Sequence, residues 1–429
     1  MAVTVTQTPQ KIKQAYSDLV ITVSSNQVVS KFKFKYVYDI FAKTNEASTY
    51  TYMGRARQTP NPSGVGMLDL SRYLQNIVSQ DLYNGTMYDT AWQFPEELKT
   101  TLGQYYVMCG EEYSTSLSGA TVLYNGSGTV SSGATLTGTT TGVKTVFNGV
   151  HQFPYGYNWN STDWFKSSNR FILSNQPLTQ YREADEFITF GVLAGQDDST
   201  DANISRLGYT AKFYFTDGTN ATYYQDFGTY TNNTITGFYT SGTLQQILDV
   251  EGQTKDWTRV ELSFSTEYEK RIIYKKVCPW QKYNPKDVIF LNRLGAWDTF
   301  RFYGSKDEVT KITRGTFERA YGTWAGSSFD YQTYERGTSN ISTELQVDGD
   351  MMSDFLDRDM VNWLEELLTS PQVYLVANNE LPHQLTGGVQ LLPINITSSD
   401  FKKQIKGNVK LRQVSFKYKY STPTRTQQQ

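Results

Sequence analysis

A chain of 429 residues has room for two or three domains of about 100–200 residues each. Its 40 basic and 42 acidic side chains leave a formal charge of −2, so no global positive field exists to bind nucleic acid as a main partner. With 19% charged and 14% aromatic residues, including 31 tyrosines, the composition is that of a folded, strand-rich chain and excludes disorder and coiled coil.

The first segment, residues 1–115, reads as a β-rich domain with one helix. Phe32, Phe34 and Tyr36 alternate with Lys31, Lys33 and Lys35, which predicts a strand with one apolar and one cationic face. The lysines suit a solvated face or protection of a sheet edge. The cluster TPNPSGVG at 59–66 is a turn. Leu70, Leu74, Ile77 and Val78 then fall on one helical face, with Asp69 or Ser71 placed to cap it.

Residues 116–150 differ in kind. Gly, Ser and Thr fill 19 of the 32 positions 118–149, and Lys144 is the only charge there. Interspersed apolar residues such as Val122, Leu136 and Val146 exceed what a flexible linker requires. A small β insertion, a long surface hairpin and an irregular exposed loop all fit.

Residues 151–275 read as a central sandwich-like domain. Short strands (AKFYF, ATYYQDF, RVELSF, RIIY) are separated by polar turns such as TDGTN. One short helix is expected over Thr243–Val250. Residues 276–429 form a C-terminal β domain. VIFL and TFRFY are joined by the tight NRLGAWD connection, and a helix near Met352–Leu368 aligns Leu356, Met360, Trp363, Leu364 and Leu367. VYLVA and VSFKYKY are closing strands, followed by the polar tail STPTRTQQQ. The expected fold is mainly β, a multi-domain β-sandwich architecture with a few short helices.

Charge is uneven in this last domain. Residues 344–366 carry −7, with Asp348, Asp350 and Asp354 among them. Residues 402–419 carry +7, from Lys402, Lys403, Lys406, Lys410, Arg412, Lys417 and Lys419. The two segments pair within one subunit, pair across subunits, or are separately solvated. The first two cases make Lys402, Lys403, Lys406, Lys410, Arg412, Asp348, Asp350 and Asp354 interface candidates, together with the aromatic anchors Trp159 and Trp164.

Recognisable chemistry is sparse. Apolar runs never exceed five residues, so no membrane span is expected. The start MAVTVTQTPQKIKQAY lacks the apolar core of a signal peptide. Cys109 and Cys278 do not make a disulfide scaffold, and both are expected to be reduced thiols. His151 and His383 lie in turn-like sequence, and no Cys/His cluster suggests zinc. Asp348-Gly-Asp350 does not have EF-hand spacing, and acids at a helix start suit the helix dipole. No catalytic residue, metal site or cofactor is therefore expected.

Three blocks occur in order: KFKFKYVYDIFAK with NPSGVGMLDLSRYLQNIV, then KRIIYKKVCPWQKYNPKDVIFLNRLGAWDTFRFYGSKDEVTKITRGTFER, then SPQVYLVANNELPHQL with LLPINITSSDFKKQIKGNVKLRQVSFKYKYS. Together they resemble virion structural proteins, of tail, neck or baseplate type, from bacteriophages infecting Bacteroidetes, including crAss-like and marine relatives. The resemblance leaves residues 110–260 largely unmatched. It implies a non-enzymatic protein of the virion, assembled in the host cytoplasm as a homo-oligomeric ring with other virion components as partners. The alternative is a receptor- or carbohydrate-binding β-protein at a tail tip, with a host surface glycan as partner.

Overall fold

The computed structural model describes residues 3–80, 96–97, 100–125, 128–131, 133–150, 172–195, 207–228, 235–264, 270–276, 285–303, 307–318, 322, 328–330, 333–334, 337–378, 389–398 and 412–425. Strand outweighs helix, 54% to 9%, in several sheets with only short helices. The expected mainly β class is the observed one.

In chain order the N-terminal strands are β1 (Thr4–Gln7), β2 (Ile12–Gln14), β3 (Val20–Ser24), β4 (Phe32–Thr44), β5 (Thr51–Gln58) and β6 (Val65–Asp69). Helix α1 (Ser71–Leu74) follows, then β7 (Glu96–Glu97), β8 (Leu102–Ser114), β9 (Val122–Asn125), β10 (Gly128–Thr129) and β11 (Lys144–Phe147). Next are β12 (Thr179–Arg182), β13 (Phe187–Gly195), β14 (Leu207–Phe215), β15 (Asn220–Gly228) and β16 (Ile235–Thr243). Helix α2 (Leu244–Val250), β17 (Trp257–Phe264) and β18 (Lys270–Lys275) come after them. The chain continues through β19 (Lys286–Leu291), β20 (Trp297–Phe302), β21 (Asp307–Glu318), β22 (Thr338–Met352) and helix α3 (Arg358–Thr369). It closes with β23 (Val373–Asn378), β24 (Val389–Ile396), β25 (Ser415–Tyr420) and β26 (Thr424–Arg425).

Two compact units result. One is Met1–Val277 with Leu291–Asp298; the other is Cys278–Phe290 with Thr299–Gln429. The sequence pattern instead suggests boundaries after 115, 150 and 275.

The first unit begins with a sandwich. The sheet β1-β3-β6 packs on a larger one in which β8 pairs with β4, β9 and β11. Between them lie Ile21 and Val23 from β3, Tyr36, Tyr38 and Ile40 from β4, and Tyr105 and Val107 from β8. Apolar alternation places Phe34 and Tyr36 inward as expected, but Phe32 is 43% exposed. The reason is local: Lys33 has φ +53, and the β4–β8 register slips between Phe32 and Lys35.

The opposite face of β4 is also buried, at Val37 and Asp39. There the Gly/Ser/Thr-rich segment supplies a cover. Leu136, itself buried, donates its backbone N–H to Asp39 Oδ2 at 2.7 Å. The N–H of Cys109 reaches Thr139 O, and that of Thr141 reaches Val107 O. From the same segment, β9 and β11 join the sheet on β8. Its scattered apolar residues thus serve packing on strands already present.

The rest of the first unit holds the sheet β12-β18-β17-β14-β15 and the sheet β13-β16-β7. The expected TDGTN hairpin joins β14 to β15, with Gly218 at φ +80 in the turn. Thr243 caps α2 by accepting from Gln246 N, and the Gln246 side chain accepts from Thr243 N, a reciprocal capping box.

In the second unit one sheet runs β20-β19-β23-β24-β25-β22-β21, with β26 also on β22. Helix α3 lays Met360, Trp363, Leu364 and Leu367 against Phe290, Phe300, Phe416 and Tyr418. Each fully buried Leu, Met or aromatic side chain of this kind contributes about 1.5–3 kcal/mol. The helix starts later than its apolar stripe suggests. Strand β22 extends to Met352, and Leu356 makes a β-bridge to Arg412, so Asp357 becomes the cap, accepting from Met360 N at 2.8 Å. Helix α1 is likewise shorter than expected. It passes into a 3₁₀ turn at Gln75–Ile77, and Asp69 anchors its start by accepting from Ser71 N and Leu19 N.

Candidate functional site

Of the ten residues singled out from sequence, Lys402, Lys403, Lys406, Lys410, Trp159 and Trp164 lie outside the described residues, as do His151, His383 and Cys278. The other four fall in the second unit. Asp348 and Asp350 sit on β22 directly opposite Lys419 and Lys417 of β25. Asp348 also pairs with Lys311 of β21. Gly349 and Met351 turn inward while Lys417 and Lys419 are exposed, so period 2 collects these charges on the outer face. The described parts of the acidic and basic segments therefore meet within one subunit. Asp354 is half-buried in the turn before α3 and accepts from Phe355 N. Arg412 contributes its backbone to the bridge with Leu356. The geometry brings Asp348, Asp350, Lys417 and Lys419 together and leaves Asp354 and Arg412 in structural roles.

Beside this ladder runs β21, the last strand of its sheet among the described residues. Glu308 to Glu318 are exposed throughout except for half-buried Gly315. Apolar Val309, Ile312 and Phe317 are 57%, 47% and 40% exposed, and Ile341 on β22 is 57% exposed. The outer side of β22 carries β25 at Asp348–Met352 and β26 at Glu344–Leu345. Toward its start, among the described residues, only β21 pairs with it. The distal half is a two-stranded arm, a form of marginal stability in water when nothing packs on it.

A second surface lies on the first unit. Tyr181 (β12), Tyr274 (β18), Arg259 (β17) and Tyr214 (β14) are successive neighbours across four strands. Tyr181 is 65% exposed and its ring lies 5.5 Å from that of Tyr274, near-parallel. The Arg259 guanidinium lies 4.1 Å from the centre of the Tyr214 ring. Hydrogen bonds with Tyr274 and Tyr214 raise its already high pKa. Sequence reading missed this row because its four members are far apart in the chain. Only the strand register aligns them.

Sequence reading also missed a sealed polar chain inside the first unit. Asp298 accepts from Ser174 Oγ at 3.0 Å and Gln176 Nε2 at 2.9 Å. Gln176 Oε1 accepts from Gln180, Gln180 Oε1 from Arg182 Nε, and Arg182 Nη1 donates to Glu186 at 2.5 Å. All six residues are buried. Such a chain fixes one packing arrangement, and half-satisfied it is strongly unfavourable. It is a positional device. Burial also pushes the Cys109 thiol up to about 12, which keeps it protonated and unreactive near neutral pH. Among the described residues no group of three His, Cys, Asp or Glu is placed to hold a metal ion, and no helix is long and apolar enough to cross a membrane.

No family model matches the sequence, and no curated protein matches it. Among solved structures, similarity is found to trypsin-activated alpha-2-macroglobulin from Escherichia coli, at TM-score 0.21 and 8% identity over 83% of this chain and 23% of that one. A mutant of Salmonella alpha-2-macroglobulin gives TM-score 0.20 and 9% identity over 97% of this chain and 23% of that one. The chain spans about a quarter of their length, and likeness at this level carries no argument about fold or role.

Proposed function

We propose that the chain is a structural protein of a tailed phage particle, assembling as a homo-oligomeric ring in the tail, neck or baseplate and working by contact. The observation that supports this reading is the β21–β22 arm, a long ribbon with apolar side chains in solvent on both faces. Edges and faces of this kind are what strand addition and subunit packing use. The helix-backed sheet of the second unit supplies a packed base for the arm to project from. Native mass spectrometry of the purified protein, with proteomics of purified particles, tests the reading. A defined homo-oligomer and presence in particles are expected; a strict monomer that is absent from particles contradicts it.

A second reading has its own support. The Tyr181–Tyr274–Arg259–Tyr214 row presents a flat aromatic and cationic strip suited to stacking on sugar rings. Under this reading the protein binds a surface glycan at a tail tip. Glycan-array binding abolished by Tyr181→Ala, with the fold unchanged, favours it; no binding on any array contradicts it.

A further inference from the structure

The arm's outer strand carries enough pattern to name its occupant. We infer that β21 pairs edge to edge with β21 of a second copy of this chain, antiparallel, with Thr316 opposite Thr316 of the other copy. This rests on the assembly reading above and specifies one contact within it.

The argument is one of register. Opposed residues in an antiparallel pair point to the same face, so a symmetric pair of identical strands must place some residue opposite itself. Few such registers are available to β21, and charge separates them. Centring on Lys311 or Arg314 opposes like charges at the dyad. Centring on Thr313 sets Glu308 against Glu318 of the other copy. Centring on Thr310, Ile312 or Gly315 opposes no charge to its opposite. Centring on Val309 sets Asp307 against Lys311 of the other copy, but Lys311 is already paired with Asp348 within its own chain. Centring on Thr316 sets Arg314 against Glu318 of the other copy, twice by symmetry, with no like charges opposed from Arg314 to Glu318. It also gives a Thr–Thr pair at the centre, a favourable cross-strand combination.

Apolar shape agrees with the same register. Phe317 falls opposite Gly315 of the other copy. An aromatic ring over an edge glycine is a recognised way to cover the gap that glycine leaves. At Gly315 the ring would also meet Ile341, whose Cγ2 is 3.4 Å from where a Cβ on Gly315 would lie. Ile341 and Phe317 are both exposed in the single chain, and this contact covers them together. The irregularity in the arm favours pairing too. Between Gly315–Ser342 and Thr316–Asn340 the extra residue, Ile341, is on β22, so β21 keeps unbroken alternation along the edge that no described strand covers.

Cysteine cross-linking reads the register directly. On a Cys278→Ser background, Thr316→Cys is expected to form a disulfide-linked dimer under mild oxidation. Opposed Cα atoms lie about 4.5–5.5 Å apart, within disulfide reach. Thr313→Cys is the control, since its two copies would be about 20 Å apart along the strands and should stay unlinked. Sedimentation of charge variants gives the second arm. Arg314→Glu should weaken association roughly tenfold, and adding Glu318→Arg should restore it. Equal cross-linking at 313 and 316, or a double variant no tighter than the single, overturns the register. A wild-type oligomer that Arg314→Glu leaves unchanged and Thr316→Cys does not cross-link overturns the pairing but leaves the assembly reading standing. A wild-type chain that stays monomeric at all concentrations overturns both.

Discussion

The hairpins β19–β20 and β21–β22 are consecutive in the chain and belong to the same sheet, yet their environments are opposite. Every residue of β19 and β20 is buried, including Asp287 and Arg301. Almost every residue of β21 is exposed. The difference lies in what each strand offers on its two faces. KDVIFL and WDTFRF place large apolar groups on both faces, and the ion pair between them is bidentate, Arg301 Nε and Nη2 to the two Asp287 oxygens at 2.7 and 2.8 Å. DEVTKITRGTFE spreads charges and threonines over both faces with single apolar residues between them. The first pattern satisfies itself inside one chain. The second leaves apolar groups and a strand edge for another.

The comparison can be broken most severely at the buried pair. Arg301→Met leaves Asp287 without its main partner in a buried site and should cost about 3–5 kcal/mol in denaturant unfolding. Lys311→Met, which removes the exposed partner of Asp348, should cost no more than about 1 kcal/mol. Equal losses would show that burial does not distinguish the two hairpins.

Glycine provides the next contrast. Gly295, in the turn between β19 and β20, has φ +81, and an added Cβ would collide with the Asn148 carbonyl. Gly295→Ala is expected to destabilise by about 2–3 kcal/mol. Gly315→Ala in the arm meets the Ser342 hydroxyl at 2.9 Å and Ile341 Cγ2 at 3.4 Å, with no positive φ, and should stay within about 1 kcal/mol. Thermal or denaturant unfolding of both variants checks the ranking.

Alkaline pH separates the regions more gently. Burial first, then neighbouring Glu308, pushes Tyr420 up to about 12, and Tyr418 is raised further by burial first. Their neutral form is favoured in the fold, so this contribution is intact below the unfolded pKa of about 10 and is lost progressively as pH rises from there through the higher folded value. The denaturation midpoint should fall above pH about 10, in step with tyrosinate absorbance. Tyr418→Phe should make that fall shallower; an unchanged slope contradicts it. The smallest effect is expected at the α2 cap, where Thr243→Ala should cost about 1 kcal/mol in the same assay.

Much of this architecture was legible from residue pattern. The short helix after Thr243, the TDGTN hairpin and the part of the α3 stripe from Met360 onward are local signals, and each appears where its pattern lies. Period 2 was less informative about direction. In TQYR of β12, Gln180 and Arg182 are buried while Tyr181 is 65% exposed, the reverse of what hydropathy suggests. Only distant partners, Asp298 among them, make that inversion favourable. Among site residues, the opposed charge of two segments could be counted in sequence, but the pairing of Asp348 and Asp350 with Lys419 and Lys417 depends on strand register. The aromatic row depends on four registers at once, which is why no single stretch of sequence announced it.

Amide exchange measured across a protein concentration series tests the central claim most directly. If β21 is completed by a second copy, its amides around Thr316 become protected as concentration rises, while those of β19 and β20 stay equally slow throughout. Exchange in β21 that is fast and independent of concentration would contradict the account.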